Sequence, residues 1–236
     1  MPTFEEVYAS HAAEYDALIQ REDYQHNILK ALSEITLFEG KIAVDMGTGT
    51  GRLIRLLAPK VQKLWAFDAS AHMLSIAQGM VDAQGWKHVT LQVADNRSLP
   101  LEDAQVDLVL EGWSFGHATD WFGDQWRPEV KTMVDEMFRV LKPLGVAILL
   151  ETLGTGSETP VAPSPKLDEF YHWLETELGF QRKTIRTDYQ FVDMAEAEKL
   201  SRFFFGDTLA DQVVANQWQI LPENTGIWWK VKPEEG

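Results

Sequence analysis

Cysteine is absent from the 236-residue chain. Its absence excludes disulfides, thiolate nucleophiles, iron–sulfur ligation and thiolate-bound zinc in one step. Long apolar runs are also missing, since none approaches the roughly 20 residues needed to span a bilayer. The opening stretch, Met1-Pro2-Thr3-Phe4-Glu5-Glu6, has neither the basic start nor the apolar core of an export signal. No membrane insertion and a cytoplasmic setting are therefore expected. Basic residues are scarce: 21 Lys and Arg face 36 Asp and Glu, a formal net charge of -15. Such an excess repels polyphosphate. The densest cationic stretch, residues 181–186, alternates like a strand and forms no patch, so nucleic acid is not the expected partner. The six histidines show no metal-ligand spacing, and no metal is expected.

What is present is an alternation of periods. Residues 1–38 read as helical, with Leu18, Tyr24, Ile28, Leu32 and Ile35 recurring at about three and four. Residues 42–46 then form a short apolar run that stops at Gly47, Gly49 and Gly51. Strand-like runs at 64–67, 89–93, 106–110 and 146–150 follow, separated by helical runs at 71–83 and 130–141. This pattern predicts an α/β fold with a mostly parallel, doubly wound sheet covered on both faces. Beyond it, residues 152–165 carry three prolines and read as a loop, 167–178 as a helix, and 181–191 as a strand. Residues 192–215 read as one or two helices broken near Gly206, and 226–231 as a last strand. The expected organisation is one domain over 1–236. It comprises a helical cap (1–38), a cofactor-binding core (40–151) and a helical insertion before the last strand (192–224).

The most informative stretch is Val44-Asp45-Met46-Gly47-Thr48-Gly49-Thr50-Gly51. Glycines on alternate positions after a strand let the backbone turn tightly and a ligand lie against it. A phosphate-cradling loop would end in Gly-Lys-Ser/Thr, and here Gly51 precedes Arg52. A dinucleotide fingerprint would need glycine where Arg52 stands. Asp45, at the strand end, suits an ammonium group better than a pyrophosphate. These departures point to a nucleoside ligand with a cationic amino-acid tail. Asp68, ending the second strand, can accept both ribose hydroxyls. Asp95 and Asn96 after the third could read an adenine amino group, although Asp-Asn is also a common turn pair.

The sequence resembles the class I S-adenosylmethionine-dependent methyltransferases, in the branch similar to ubiquinone/menaquinone-biosynthesis and other small-molecule methyltransferases. The landmarks are Val44–Gly51, Phe67-Asp68-Ala69-Ser70 with Met73-Leu74, Ala94-Asp95 with Leu99-Pro100, Val106-Asp107-Leu108-Val109, and Arg139-Val140-Leu141-Lys142-Pro143-Leu144-Gly145. They follow the family order over residues 40–150, with Leu144 standing where the family often has glycine. The resemblance implies a Rossmann-like seven-stranded sheet of order 3-2-1-4-5-7-6 with the last strand antiparallel. It also implies S-adenosyl-L-methionine as cofactor, Asp45 near its amino group, Gly47 and Gly49 along it, Asp68 on the ribose and Asp95 near adenine. Thr48, Gly51, Ala69, Met73, Asn96 and Glu111 complete the candidate cofactor set, with Tyr15 closing over it from the cap.

The segment Glu111–Gly123 is rich in aromatics and glycine. Trp113, Phe115 and Trp121, with Phe122, could form an apolar wall beside a small-molecule acceptor, and His117 is the candidate base because its ordinary pKa lies nearest neutrality. The expected reaction is methyl transfer to a small molecule by in-line displacement, driven by positioning. Two other readings stand beside it: a catalytically silent scaffold that binds an adenosine ligand, and an RNA methyltransferase. The acceptor atom, the need for a general base and the oligomeric state stay open at this level.

Overall fold

The computed structural model describes residues 4–234. The opening residues 1–3 and the side chains of Phe4 and Glu5 lie outside what is described. Three helices come first: α1 (Phe4–Ser10), α2 (Ala12–Ile19) and α3 (Asn27–Ile35). The alternating part follows as β1 (Ile42–Met46), α4 (Arg52–Leu57), β2 (Lys63–Asp68), α5 (Ala71–Gln84), β3 (Val89–Val93) and β4 (Val106–Gly112). Next come α6 (Ala118–Trp121), α7 (Trp126–Val140), β5 (Leu141–Thr155), α8 (Pro165–Thr176) and β6 (Gln181–Arg186). The last elements are β7 (Tyr189–Gln190), α9 (Met194–Phe204), α10 (Asp207–Ala215), β8 (Ile220–Leu221) and β9 (Glu223–Val231).

Seven strands form one sheet in the order β3-β2-β1-β4-β5-β9-β6, and β7 and β8 pair separately. The strands up to β5 run parallel, while β9 is antiparallel to both β5 and β6. This is the expected 3-2-1-4-5-7-6 order, with β9 as the seventh strand of the main sheet.

The continuous apolar runs follow from burial on both faces. Alternate side chains of β1, β4 and β5 enter two separate cores. Val44, Val109 and Leu149 meet Met133, Met137, Phe170 and Trp173 from α7 and α8. Ala43, Leu108, Leu110 and Ile148 meet Ile28, Leu32, Leu53, Leu57 and Ala77 from α3, α4 and α5. A third core joins the cap to the insertion: Leu18 of α2 packs with Tyr189, Phe191, Ala197, Leu200, Val213 and Leu221.

Several boundaries differ from the sequence reading; the last strand, for one, starts at Glu223 rather than at 226 and so overlaps the expected insertion. Helix α7 starts at Trp126, four residues early, because Pro128 falls in the first turn, where its missing N–H has no intrahelical partner to lose. Strand β5 runs on to Thr155, into the stretch read as loop, with a register shift between Thr152 and Thr155. The single strand expected over 181–191 breaks into β6 and β7. At the break the Thr187 hydroxyl is buried against that of Thr225 at 2.6 Å, and Arg186 turns back onto Asp188 at 2.8 Å. Among the described residues, no helix is long and apolar enough to cross a membrane.

Candidate functional site: two joined chambers at the strand ends

Strands β1, β2, β4 and β5 carry acids at or near their carboxyl ends: Asp45, Asp68, Glu111 and Glu151. Ligands of open α/β sheets bind on this side, and two cavities open there. The first, about 480 Å³, is bounded by the glycine turn, Asp45, Thr48, Asp68, Ala69, Met73 and Asn96. The second, about 330 Å³, lies toward β5 and the insertion and includes Glu151, Thr152, Tyr189, Phe204, Phe205 and Glu223. Tyr8, Tyr15, Arg52, Trp113 and His117 line both and form the junction.

In the first chamber the glycine turn is shaped by contacts on its far side. Gly47 has φ of +70°, and a Cβ there would collide with the Ser114 side chain, so the turn and the loop after β4 approach as only glycine permits. Asp45 is fully buried. Thr48 donates its hydroxyl to Oδ2 at 2.5 Å, while Oδ1 has no partner among the described residues. Burial raises its pKa to about 7 despite the Thr48 bond. An unpartnered carboxyl oxygen facing a cavity calls for a donor or a cation. Asp68 accepts the Gly49 N–H on Oδ2 and the Ser70 N–H on Oδ1, both at 2.8 Å, so it ties the turn after β1 to the end of β2. Each oxygen keeps a lone pair for a further donor.

The two residues after β3 part company. Asn96 lines the chamber, with Oδ1 buried and unpartnered. Asp95 does not line it: its Oδ1 accepts the Arg97 N–H at 2.8 Å and the Arg97 guanidinium holds both oxygens, which lowers its pKa. Met73, Ala69, Thr48, Gly49 and Tyr15 line the chamber, whereas Gly51 lies behind the turn, where a Cβ would meet Met80 at 2.8 Å.

Glu111 lies beneath the loop rather than on the cavity wall. Its Oε2 accepts the N–H groups of Ser114 and Phe115 at 3.1 and 3.3 Å, and Glu151 accepts that of Gly116 at 2.7 Å. Burial, with repulsion from Glu151, pushes the Glu111 pKa well up, and burial raises Glu151 to about 8. The two carboxyls thus anchor the loop that carries Trp113 and His117. Phe115 is fully buried in the first core and does not reach either chamber, while Trp121 lines the first. His117 stacks on Trp121 with ring centres 5.2 Å apart, and its Nε2 lies 2.8 Å from the Tyr8 hydroxyl. Burial lowers its pKa to about 4, so the ring is a neutral imidazole at neutral pH.

The junction also contains a residue that the sequence marked only as a departure from the dinucleotide fingerprint. Arg52 is ion-paired with Glu22 at 2.7 Å, and its guanidinium lies over the Trp113 ring at 3.9 Å. Trp113 itself has φ of +55°, strained for a side chain of its size. Glu151 and Glu223 were missed as site residues. Glu151 did carry a signal, an acid closing an apolar strand as Asp45 does.

Residues 43–145 match the family model described as a methyltransferase domain. The chain is 32% identical over 124 residues to a demethylmenaquinone methyltransferase of Anoxybacillus flavithermus, covering 51% of this chain and 48% of the relative. It is 33% identical over 112 residues to a ubiquinone/menaquinone biosynthesis C-methyltransferase of Rubrivivax gelatinosus, covering 48% and 39%. The chain thus spans less than half the length of these relatives. Among solved structures it resembles an S-adenosylmethionine-dependent methyltransferase from Aquifex aeolicus, with a TM-score of 0.55, 19% identity, and 85% and 87% of the two chains covered. The chain therefore has the class I S-adenosylmethionine-dependent methyltransferase fold, with homologues in the demethylmenaquinone methyltransferase branch.

Proposed function

We propose that this chain transfers a methyl group from S-adenosylmethionine, held in the first chamber, to a small molecule held in the second. The observation that carries this reading is the pair of adjoining cavities, one with an unpartnered buried carboxyl at the glycine turn, that share a wall of aromatic side chains and Arg52. The residues present fit the cofactor. Asp45 Oδ1 would take its ammonium, the backbone at Gly47 and Gly49 would run beside it, Asp68 would accept the ribose hydroxyls, and Asn96 would face the adenine. Asp95, held by Arg97, would act only by shaping that turn. When bound, the cofactor supplies a methyl already activated by a sulfonium charge.

The protein's part is then alignment and exclusion of water. Tyr8, Tyr15, Trp113 and His117 form the passage between the chambers, and aromatic faces tolerate a cation. With its pKa lowered to about 4 by burial, His117 is a neutral imidazole beside the Tyr8 hydroxyl and a weak base toward the acceptor. We read the chain as one domain whose cap (1–38) and insertion (192–224) close the acceptor side. The net charge of -15 supports an enzyme of small molecules rather than of nucleic acid. Calorimetric titration tests the assignment. S-Adenosylmethionine or S-adenosylhomocysteine should bind and NAD and ATP should not, and tight NAD binding with no response to either sulfur ligand would overturn it.

A further inference from the structure

The second chamber has a charge balance of its own. Its permanent cation, Arg52, is matched by Glu22 at 2.7 Å and covered on one face by Trp113. Two more buried carboxyls, Glu151 and Glu223, line the same space; the third, Asp120, is exposed and paired with Lys166 at 3.0 Å, and the other basic group, His117, is a neutral imidazole at neutral pH. Glu223 is 2% exposed. Its Oε1 accepts the Thr152 hydroxyl at 2.7 Å, and its Oε2 has no hydrogen-bond partner among the described residues. The remaining walls are largely aromatic, from Tyr8, Tyr15, Tyr189, Phe204 and Phe205. Buried acid and ring faces together are the chemistry that holds an ammonium group.

We propose that the acceptor enters the second chamber as a protonated amine whose ammonium binds Glu223, with Glu151 as the second carboxyl and its hydrocarbon part against the rings. Glu223 then accepts one proton from the ammonium, leaving the nitrogen lone pair free, as attack on an electrophilic methyl requires. This rests on the methyl-transfer reading and names its substrate class. The groups facing Glu223 agree with the role. Burial and the charge of Glu22 raise its pKa to about 8, opposed by the Thr152 and Thr155 hydroxyls and by Arg52, and Tyr189 stands close by. At neutral pH the carboxyl therefore holds a proton until a cation displaces it.

The test uses the full chain saturated with S-adenosylhomocysteine and three probes of matched shape: 2-phenylethylamine, 2-phenylethanol and 3-phenylpropanoate. Calorimetry at pH 7 should show the amine binding at least about tenfold tighter than the other two. Repetition in buffers of different ionisation enthalpy should show close to one proton released per amine bound by the wild type. Glu223→Gln should lose the amine preference and the proton release, yet keep alcohol binding and S-adenosylhomocysteine affinity. If that variant does not fold, the wild-type probe series and proton count decide alone. Equal or tighter binding of the alcohol or the carboxylate, or no proton release, overturns the amine assignment and leaves the methyl-transfer reading standing. Failure of S-adenosylhomocysteine to bind overturns both.

Discussion

Apart from the residues that line both chambers, the first draws its polar groups from two short stretches, Asp45–Gly49 and Asp68–Met73, with Asn96 after β3 and Ser114 after β4. The second gathers Arg52, Glu151, Tyr189 and Glu223 from four elements spread over more than 170 residues. Backbone geometry builds the first: a left-handed glycine, a turn and two N–H bonds to Asp68. Side-chain charge builds the second, through a buried ion pair and carboxyls that the cap, the sheet and the insertion bring together. A local device survives on local sequence, whereas a device of distant charges depends on every element that supplies one.

Breaking the ion pair should therefore have the largest effect. Arg52→Ala leaves Glu22 buried without its partner, and breaking such a pair by removing one member costs about 3 kcal/mol. For a chain of this size, thermal scans should show the melting temperature falling by about 6–12 °C. Replacing Arg52 and Glu22 together by methionine should recover most of the loss. A single variant as stable as wild type would show that charge pairing does not hold the second chamber together.

Next in size is Asp45→Asn, which acts on the first chamber alone. Loss of a charged contact to the cofactor ammonium should weaken S-adenosylhomocysteine binding by about 1.5–3 kcal/mol in calorimetric titration. Stability should not fall, because a buried, desolvated carboxyl is replaced by a neutral group that can still accept the Thr48 bond. Unchanged affinity would remove Asp45 from the cofactor site.

Acidity separates the chambers more gently. Asp45 is raised to about 7, and Glu151 and Glu223 to about 8, all above their ordinary values. A raised carboxyl favours the folded state fully below its unfolded pKa and loses that contribution as pH rises through the folded one. The melting temperature of the ligand-free protein should thus decline from pH 6.5 to 8.5, a window above the depressed His117 value. Saturation with S-adenosylhomocysteine should shrink the decline by the part of Asp45, and Glu223→Gln by the part of Glu223, leaving those of Glu22 and Glu151 in place. A flat profile for the free protein would contradict the burial of these acids as ionisable groups.

The same contrast explains what could be read in the chain beforehand. The alternation of strands and helices and the glycine turn were legible because strand period, glycine spacing and an acid at the strand end are local signals, whereas the strand order came only with the family resemblance those signals carry. Asp95 and Asn96 were offered together for adenine, but Asp95 accepts the N–H two residues on, and turn chemistry holds it away from the chamber. Phe115 and Trp113 sit two apart in one aromatic run, and no periodicity distinguishes the one that enters the core from the one that stacks on Arg52. Arg52 read only as a departure from the dinucleotide pattern because Glu22, its partner, stands 30 positions earlier in the cap. Glu223 opens β9 after an insertion whose pairing with β7 nothing in the local pattern announces.

The smallest effect comes from a site outside both chambers and serves as their control. Leu144 takes φ of +62° in the turn between α7 and the main run of β5, and it is 60% exposed. A leucine in the left-handed region bears a steric cost of roughly 1–2 kcal/mol that glycine avoids, and glycine returns part of this through the greater freedom of its unfolded chain. Little packing is lost because the side chain faces solvent. Leu144→Gly should therefore raise stability by about 0.5–1 kcal/mol, a melting shift of about 1–4 °C. Calorimetric affinity for S-adenosylhomocysteine and for the amine probe should match wild type. A fall in stability would show that the leucine makes a contact worth more than its backbone strain. A change in either affinity would mean that this remote turn is coupled to the strand ends, and that the two chambers are less separable than their construction indicates.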